Sequence, residues 1–237
     1  RWLLAGLISR RRAPIAREIY AHLGGKSPLL ELTQAQSDAL ANELSGGDDM
    51  VKVFVCMRYW HPMADAIAAA VQTFAPDEIV LLPLYPQFST TTVGSSLKDW
   101  HRAAAKAGLL APTRAACCYP TGKGWITAQA DLVGQAVADV PDGTRVLFSA
   151  HGLPRKVVDG GDPYQWQVEQ TAAAVVSAMG GHNDWTVCYQ SRVGPLEWIG
   201  PSTEDELARA AKDGIGVIIV PIAFVSEHSE TLVELDI

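Results

Sequence analysis

The chain has 237 residues, of which 48% are hydrophobic and 19% are charged, so it can bury a full core as one large domain or two small ones. It carries 19 Lys and Arg against 26 Asp and Glu, a formal net charge of −7. That balance argues against a nucleic-acid partner, because binding to a phosphate backbone relies on clustered Lys and Arg.

The cysteines are Cys56, Cys117, Cys118 and Cys188, and they include no CxxC pair. This argues against a zinc knuckle and against a disulfide framework, and it favours a reducing cytoplasm. Cys56 and Cys188 sit in apolar, strand-like runs, so we expect both to be buried structural thiols.

The N-terminal stretch 2–8 is apolar and is followed by Arg10, Arg11 and Arg12, the reverse of the order in a secretory signal. No apolar run in the sequence reaches the length of a transmembrane span. The chain starts with an arginine and its first methionine is Met50. We therefore expect an internal fragment of a longer protein.

The rest of the chain alternates short apolar or β-branched runs with segments of helical periodicity. The runs that predict strands are residues 51–57, 79–84, 145–150, 186–189 and 217–224. The patterns that predict helices are residues 13–22, 34–44, 63–74, 95–107, 126–140, 164–179 and 204–212. Strands that alternate with helices indicate parallel sheets flanked by helices, so the expected fold class is α/β.

The two halves of the chain resemble one another. Residues 79–84 run into Pro86 and a Ser/Thr-rich turn, as residues 217–220 run into Pro221 and an acidic helix start. Two similar three-layer lobes, each a parallel sheet with helices on both faces, would explain this likeness.

The Pro-rich and Gly-rich stretch 119–124 is the expected joint between these lobes. The predicted organisation is an N-terminal lobe at residues 1–120 and a C-terminal lobe at residues 121–237. A surface loop within one domain is the alternative for this stretch.

Two segments place a histidine just past the end of a predicted strand. His151 follows the run 145–150, and His228 follows the run 217–224. In parallel α/β sheets ligands bind at this end of the strands, where loops and helix N-termini converge. Because the pKa of an imidazole lies near neutrality, His151 is a candidate general base. A core histidine satisfied by the backbone is the alternative.

A helix that begins near Ser226 would carry Glu227, Glu230 and Glu234 on one face, because their spacings are three and four residues. Carboxylates on one face repel each other unless they share a cation or a proton, so this stripe is a candidate path for metal ions or protons. For Glu227 a solvated helix face is an equal alternative. On an ideal helix His228 would point about 160° away from Glu230, which makes the pair a poor two-ligand clamp.

Seven motifs fall along the chain in a recognisable order. They are Met-Arg-Tyr at 57–59, Tyr-Pro-Gln-Phe-Ser at 85–89, Gly-Ser-Ser-Leu at 94–97, Ser-Ala-His-Gly-Leu-Pro at 149–154, Gly-Asp-Pro-Tyr at 161–164, Tyr-Gln-Ser-Arg-Val-Gly-Pro at 189–195 and Ser-Glu-His-Ser-Glu at 226–230. Over nearly the whole chain they resemble ferrochelatase. The resemblance implies a lyase, a metal chelatase, that inserts ferrous iron into protoporphyrin IX to form protoheme, the terminal step of heme biosynthesis.

The resemblance also implies a fold of two Rossmann-like lobes with parallel sheets flanked by helices. Members of the family have a preceding strand and a C-terminal segment beyond residue 237. We therefore expect both lobes to be incomplete, truncated at the two ends of this chain, and we expect the fragment neither to fold nor to turn over well.

The resemblance assigns roles to histidines and glutamates. It makes His151 the catalytic base and Glu230 a catalytic or metal-handling residue, with His228 as a secondary catalytic residue beside it. Gly152 stands where many relatives carry serine, which leaves the base intact. Metal ligation would be weak and exchangeable, because a tight site would trap the iron. The implied metal-handling residues are His151, Glu227, Glu230 and Glu234.

Substrate contacts follow from two further motifs. Arg58 and Tyr59 resemble the family's pair that contacts the porphyrin and its propionates, and a guanidinium matches both oxygens of a carboxylate. A surface ion pair for Arg58 and a packing tyrosine for Tyr59 are the alternatives. By resemblance Trp198 and Ser191 line the pocket, although a tryptophan is as often a core residue.

No tightly bound cofactor is expected, and ferrous iron is a substrate. Some relatives hold a [2Fe-2S] cluster with one cysteine in the 85–89 motif region, but here Thr90 follows Ser89, so we predict no cluster. The ending 230–237 resembles the branch that uses protoporphyrin rather than coproporphyrin. The expected partners are protoporphyrin IX and ferrous iron. The expected location is the cytoplasm, with peripheral contact to a membrane from which the apolar substrate would be delivered.

Two other classes of function fit parts of the sequence. A non-catalytic carrier of a tetrapyrrole or metal would use the same pocket, and its behaviour would not change on loss of His151. A two-lobed solute-binding protein would need an export signal. Neither explains a histidine at one strand end together with carboxylates at the other.

Overall fold

The computed structural model describes residues 10, 13–14, 16–47, 50–192 and 194–235. The chain forms two compact units, one made of Arg1–Val55 with Ser226–Ile237 and the other of Cys56–Val225. Each unit has its own elements, and the parallel sheets belong to the second.

The regular elements described in the first unit are helices. Residues 16–22 are helical, helix α1 spans Leu29–Leu44, and a π-helix spans Glu230–Glu234. The first turn of α1 is closed by the Thr33 hydroxyl, which donates to the main-chain oxygen of Leu29 at 2.7 Å. Helix α1 therefore starts at Leu29 rather than at residue 34, where the apolar periodicity begins.

The second unit alternates helices with short strands. Its elements in chain order are α2 (Ala64–Phe74), β1 (Ile79–Leu81), α3 (Val93–Ala107), β2 (Thr113–Ala115), α4 (Lys123–Ala138), β3 (Arg145–His151), α5 (Arg155–Asp159), α6 (Tyr164–Ala178), β4 (Trp185–Gln190), α7 (Thr203–Asp213) and β5 (Val217–Pro221).

The strands form two parallel sheets. Strands β1 and β2 pair with each other, and β3 lies between β4 and β5. The register of the larger sheet sets His151 beside Gln190 and Ser149 beside both Cys188 and Pro221. Parallel sheets flanked by helices confirm the predicted α/β class.

The core of the second unit is built around β3. Leu147 and Phe148 are fully buried, as a continuous apolar run must be when helices cover both faces of a parallel strand. Helix α6 adds Val168, Ala172 and Val175 at spacings of four and three residues, the stripe of a helix that packs on a sheet. Each large apolar side chain buried here contributes about 2 kcal/mol to stability. This core makes the end of β3 a rigid platform.

The segment after β1 is fixed by buried amides. Gln87 is 1% exposed, and its Nε2 donates to Thr171 Oγ1 at 3.0 Å and to the main-chain oxygen of Ile222 at 3.3 Å. The main-chain nitrogen of Phe88 donates to Gln167 Oε1 at 2.7 Å. Residues 79 or more apart in sequence are thereby tied together.

Asp162 joins two of the sequence motifs. Its Oδ2 accepts hydrogen bonds from Ser89 Oγ at 3.0 Å and from both the main-chain nitrogen and Oγ1 of Thr90 at 2.7 Å. Its Oδ1 accepts from the main-chain nitrogen of Tyr164 at 3.1 Å. A buried carboxylate is stable only with such partners. The motifs at 85–89 and 161–164 therefore meet in space.

The sequence analysis is wrong about one strand and one thiol, and it missed a second strand. Residues 51–57 form no strand in the described structure, since only Met57 makes an isolated bridge, to Met63. Without a neighbouring strand to cover it, Cys56 is exposed, so its assignment as a buried thiol is wrong, whereas Cys188 is buried as predicted. Strand β2 was missed because a three-residue edge strand with two exposed side chains has no apolar run.

The strand predicted at 217–224 is shorter in the structure and ends at Pro221, which as an edge-strand residue needs no N–H on its outer side. The smaller sheet precedes the stretch 119–124 and the larger sheet follows it. The division of the chain between residues 120 and 121 stays a prediction.

Candidate active site

His151 is the last residue of β3 and projects at the carboxyl end of the larger sheet. Its Nδ1 lies 2.7 Å from the main-chain oxygen of Gly152. Because a carbonyl oxygen can only accept, Nδ1 carries the hydrogen and Nε2 carries the lone pair of the neutral ring. This tautomer makes Nε2 the atom able to accept a proton.

The β4 strand supports His151 from the side. Gln190 pairs with His151 in the parallel ladder, and the Gly152 N–H donates to the Gln190 main-chain oxygen at 2.8 Å. Ser149 Oγ donates to Gln190 Oε1 at 2.7 Å and lies 2.9 Å from Thr203 Oγ1. Gln190 Nε2 is buried without a hydrogen-bond partner among the described residues. The sequence analysis did not single out Gln190, although its place in the 189–195 motif was a signal.

Trp198 lies against the turn that follows His151. Pro154 and Trp198 form an antiparallel bridge, and the Ile199 N–H donates to the Leu153 oxygen at 3.0 Å. The indole Nε1 of Trp198 is buried and has no acceptor among the described residues. Trp198 is half-buried beside the turn that follows His151, and its role in lining a pocket stays a prediction.

Ser191 follows β4 directly and is half-buried. Its φ of 59° lies in the left-handed region, which a residue other than glycine adopts only where the chain must turn sharply. Two residues earlier lies Tyr189, which is buried in β4. Burial raises the pKa of its phenol above the ordinary range, so the side chain is neutral. Ser191 thus marks the corner at which the chain leaves the sheet edge next to Gln190.

Arg58 and Tyr59 form a cation–aromatic pair in which the guanidinium carbon lies 4.6 Å from the ring centroid. Arg58 Nε donates to Ser95 Oγ at 3.0 Å, and Tyr59 OH lies 3.5 Å from the same hydroxyl. Tyr59 is 71% exposed, which is not the burial of a packing tyrosine. Ser95, from the 94–97 motif, was not among the predicted contacts.

The Arg58 guanidinium is only loosely neutralised. Its NH1 lies 3.8 Å from Asp99 Oδ2, whereas Arg102 holds Asp99 at 3.0 Å. A separation of 3.8 Å is longer than a hydrogen bond. Arg58 is therefore not held in a close ion pair with Asp99, and its contact with a propionate stays a prediction.

The segment with the glutamates winds differently from the predicted α-helix. Helical structure begins at Ser229 rather than at Ser226, and Glu230–Glu234 is a π-helix. The prediction that Glu227, Glu230 and Glu234 lie on one face of a continuous α-helix is therefore wrong. Glu227 precedes the helix and is exposed. π-turns are rare and occur frequently at functional sites.

Glu230 opens the π-helix and is half-buried, and His228 is half-buried just before it. The structure does not describe the side chain of Glu234. Among the described residues, no group of three or more His, Cys, Asp or Glu side chains could hold a metal ion. The set His151, Glu227, Glu230 and Glu234 stays a prediction of metal-handling residues.

The position that bears a cluster cysteine in some relatives is occupied here by Thr90, which is bonded to Asp162. Cys117 and Cys118 follow β2, with their Sγ atoms 3.4 Å apart. Cys118 Sγ lies 3.7 Å from Gln167 Nε2, and Gln167 Oε1 accepts from the main-chain nitrogen of Phe88. The absence of an iron–sulfur cluster stays a prediction. The described helices include none that is both long and apolar enough to cross a bilayer.

Parallel sheets flanked by helices, with a histidine at the carboxyl end of a central strand, are consistent with a chelatase-like fold. The ferrochelatase family model matches residues 1–237. The chain is 54% identical to a ferrochelatase of Phenylobacterium zucineum, 55% identical to one of Caulobacter vibrioides and 50% identical to one of Pelagibacter ubique. These matches cover the whole chain and 69%, 68% and 70% of the three relatives. The chain belongs to the ferrochelatase family.

Membership of this family confirms the predicted class of function, an enzyme that inserts ferrous iron into protoporphyrin in heme biosynthesis. The carrier alternative is not favoured. Family membership does not by itself assign roles to individual residues, so the roles of His151 and Glu230 stay predictions.

Proposed function

We propose that His151 is the general base of this iron insertion and that the π-helical segment around Glu230 handles the metal and the displaced protons. The observation that carries the proposal is the hydrogen bond from His151 Nδ1 to the Gly152 oxygen, 2.7 Å long. It presents the Nε2 lone pair at the carboxyl end of a buried strand. That is the form of histidine that a proton acceptor requires.

The reaction exchanges two N–H protons of the free macrocycle for one Fe²⁺ ion, so two protons must leave the pyrrole nitrogens. An imidazole in a site closed to water can accept them one at a time and pass each on. Binding that bends the macrocycle would bring its lone pairs and N–H bonds out of the ring plane. Such binding favours the transition state over the flat substrate.

Glu230 is the proposed catalytic carboxylate of the second segment, with Glu227 and Glu234 as further metal-handling groups and His228 as a secondary residue. Carboxylate oxygens bind Fe²⁺ weakly enough to release it to the porphyrin. This exchangeable ligation is what insertion needs.

The porphyrin would lie against Trp198 and Ser191 and bind Arg58 and Tyr59 through a propionate. Trp198 supports this by its indole N–H, which is buried without an acceptor among the described residues. Arg58 supports it by its 3.8 Å separation from Asp99, which leaves the guanidinium able to form a closer pair with a carboxylate.

Protoporphyrin IX is the proposed substrate rather than coproporphyrin, on the resemblance of residues 230–237 to the protoporphyrin-using branch. The proposal further includes a cytoplasmic location, peripheral contact with a membrane and no iron–sulfur cluster. An absorption spectrum of the purified complete protein with iron–sulfur bands would contradict the last of these.

Zinc insertion into protoporphyrin, followed by the fluorescence of the zinc product, tests the assignment on the complete protein. His151→Ala should reduce turnover by about 100-fold or more, since positioned acid–base groups contribute about 10²–10⁴-fold. His182→Ala is the matched control, because His182 also contacts a main-chain oxygen, that of Thr144, at the opposite end of the same sheet. Glu230→Ala should also lose activity. Near wild-type rates in both His151→Ala and Glu230→Ala would overturn the roles.

A further inference from the structure

Thr231 is a buried hydroxyl residue at the start of the π-helix, only 6% exposed. Its Oγ1 accepts a hydrogen bond from the His228 main-chain N–H at 3.0 Å and lies within hydrogen-bond distance of Glu227 Oε2. Oγ1 also lies 3.1 Å from the His228 main-chain oxygen. A hydroxyl has a single hydrogen, so Thr231 shares it between the Glu227 carboxylate and the His228 oxygen.

The bonding between His228 and Thr231 is reciprocal. The Thr231 main-chain N–H donates to His228 Nδ1 at 3.4 Å, while the Thr231 side chain accepts from the His228 main-chain N–H. This is the pattern of a capping box, in which two residues three apart satisfy each other's orphan donors at a helix N-terminus. His228 takes the N-cap place usually held by Ser or Thr, and Thr231 takes the place three residues later that Glu or Gln usually holds.

The hydrogen bonds of this cap determine which tautomer the neutral His228 ring adopts. Because Nδ1 accepts from a main-chain N–H, the hydrogen of the neutral imidazole lies on Nε2. His228 then offers a hydrogen-bond donor at Nε2, whereas His151 offers a lone pair there. His151 and His228 therefore have opposite tautomers in their neutral forms, which suits them to different tasks.

We infer that Thr231 is a positioning residue of the ferrochelatase reaction, which orients Glu227 and His228 through its hydroxyl at the start of the helix that bears Glu230. The inference rests on the proposed function of this segment. A carboxylate on an exposed turn would otherwise rotate among several rotamers, and its hydrogen bond to a buried hydroxyl selects one. Residues that hold a metal-handling group in this way typically change metal affinity or activity by about 10–100-fold when removed.

Thr231→Val removes the hydroxyl and keeps the shape, and Thr231→Ser restores the hydroxyl. Zinc insertion by the complete protein should show kcat/KM for zinc reduced by about 10-fold in Thr231→Val, with KM for protoporphyrin unchanged, and recovered to within about twofold in Thr231→Ser. Thr33→Val is the matched control. Thr33 is a buried threonine of the same unit whose hydroxyl donates to the Leu29 main-chain oxygen rather than to a carboxylate.

Equal activity of Thr231→Val and the wild type would overturn the inference. So would equal losses in Thr231→Val and Thr231→Ser, because the hydroxyl would then not be the cause. A loss that raises KM for protoporphyrin as much as it lowers kcat/KM for zinc, with the same fall in melting temperature as Thr33→Val, would show a merely structural role.

Failure of the proposed function gives a different result. In that case Glu230→Ala retains its rate, whatever Thr231→Val does. If Glu230→Ala is inactive and Thr231→Val is fully active, the proposed function stands and the positioning role of Thr231 falls.

Discussion

Gly152 and Trp198 are in such close contact that a Cβ atom on Gly152 would lie 3.3 Å from Cε3 of the indole. The same atom would lie 3.0 Å from the main-chain oxygen of Gln190. Both distances are shorter than ordinary van der Waals contact, so the turn after His151 closes this tightly only because residue 152 has no side chain. The absence of a side chain at this position therefore shapes the predicted pocket.

Gly152→Ala should displace Trp198 and lower the rate of zinc insertion several-fold, at a stability cost of about 1–3 kcal/mol for the overpacked turn. Replacing Trp198 with phenylalanine in the same protein should recover part of both losses, because the smaller ring lacks the contacting atom. Gly134→Ala is the control, since a Cβ atom there meets nothing within 4 Å. Equal effects of the two alanine variants would show that close packing at residue 152 does not matter.

Asp162→Asn should lower the free energy of unfolding by about 2–3 kcal/mol, because hydrogen bonds to a charged acceptor are strong and a buried amide would oppose donor to donor. The carboxylate accepts from Ser89, Thr90 and Tyr164. Urea unfolding at neutral pH measures the change. Asp142→Asn, at an exposed turn, should leave the urea midpoint in place. A urea midpoint for Asp162→Asn equal to that of the control would show that the hydrogen bonds to Asp162 do not stabilise the fold.

The pair of Arg145 and Asp184 should make stability depend on acid. Arg145 Nε donates to Asp184 Oδ1 at 2.7 Å, and this bond holds the pKa of that carboxyl below its ordinary value. A carboxyl whose folded-state pKa is depressed stabilises the fold above its unfolded pKa of about 3.9, and the stabilisation is lost as the pH falls through the folded value.

Asp184→Asn should therefore be less stable than the wild type at neutral pH, and the difference should shrink as the pH is lowered from about 5 towards the folded-state value. Urea midpoints measured across this range give the comparison. Asp142→Asn again serves as the control, because it should shift neither end of the range. A difference that persists unchanged in acid would show that charge plays no part.

Cys188 should resist alkylation in the folded protein. It is fully buried, and burial raises the pKa of its thiol to about 11, so little thiolate forms near neutrality. Iodoacetamide treatment followed by peptide mass spectrometry should show the exposed Cys56 modified well before Cys188. Urea should abolish the difference. Equal rates in the folded protein would contradict the buried position of Cys188 in β4.

Helices and central strands were the elements that the sequence predicted well. Strand β3 and helix α6 combine long, unambiguous patterns with deep burial, and both were found within a residue or two of the expected bounds. Strand β2 was missed because a three-residue edge strand carries little pattern of its own. Residues 51–57 have the composition of a strand but form none in the described structure, because strand formation depends on pairing as well as on composition.

Some features of the candidate site were likewise predicted from the sequence and others were not. His151 was placed correctly at a strand end, since an apolar run followed by a polar motif marks that position. The sequence could not show the π-helical winding at Glu230, because spacing arguments assume a regular helix. Nor could it show that Thr231 contacts both Glu227 and His228.

The sequence by itself determined the α/β class, the family and the position of His151 at a strand end, because all three follow from the order of residues along the chain. Only the tertiary structure decided which nitrogen of His151 carries its hydrogen, how closely Trp198 approaches Gly152 and which donors surround Asp162. These depend on distances of a few ångströms between groups far apart in sequence, or on backbone geometry within a turn. Local periodicity carries no information about either.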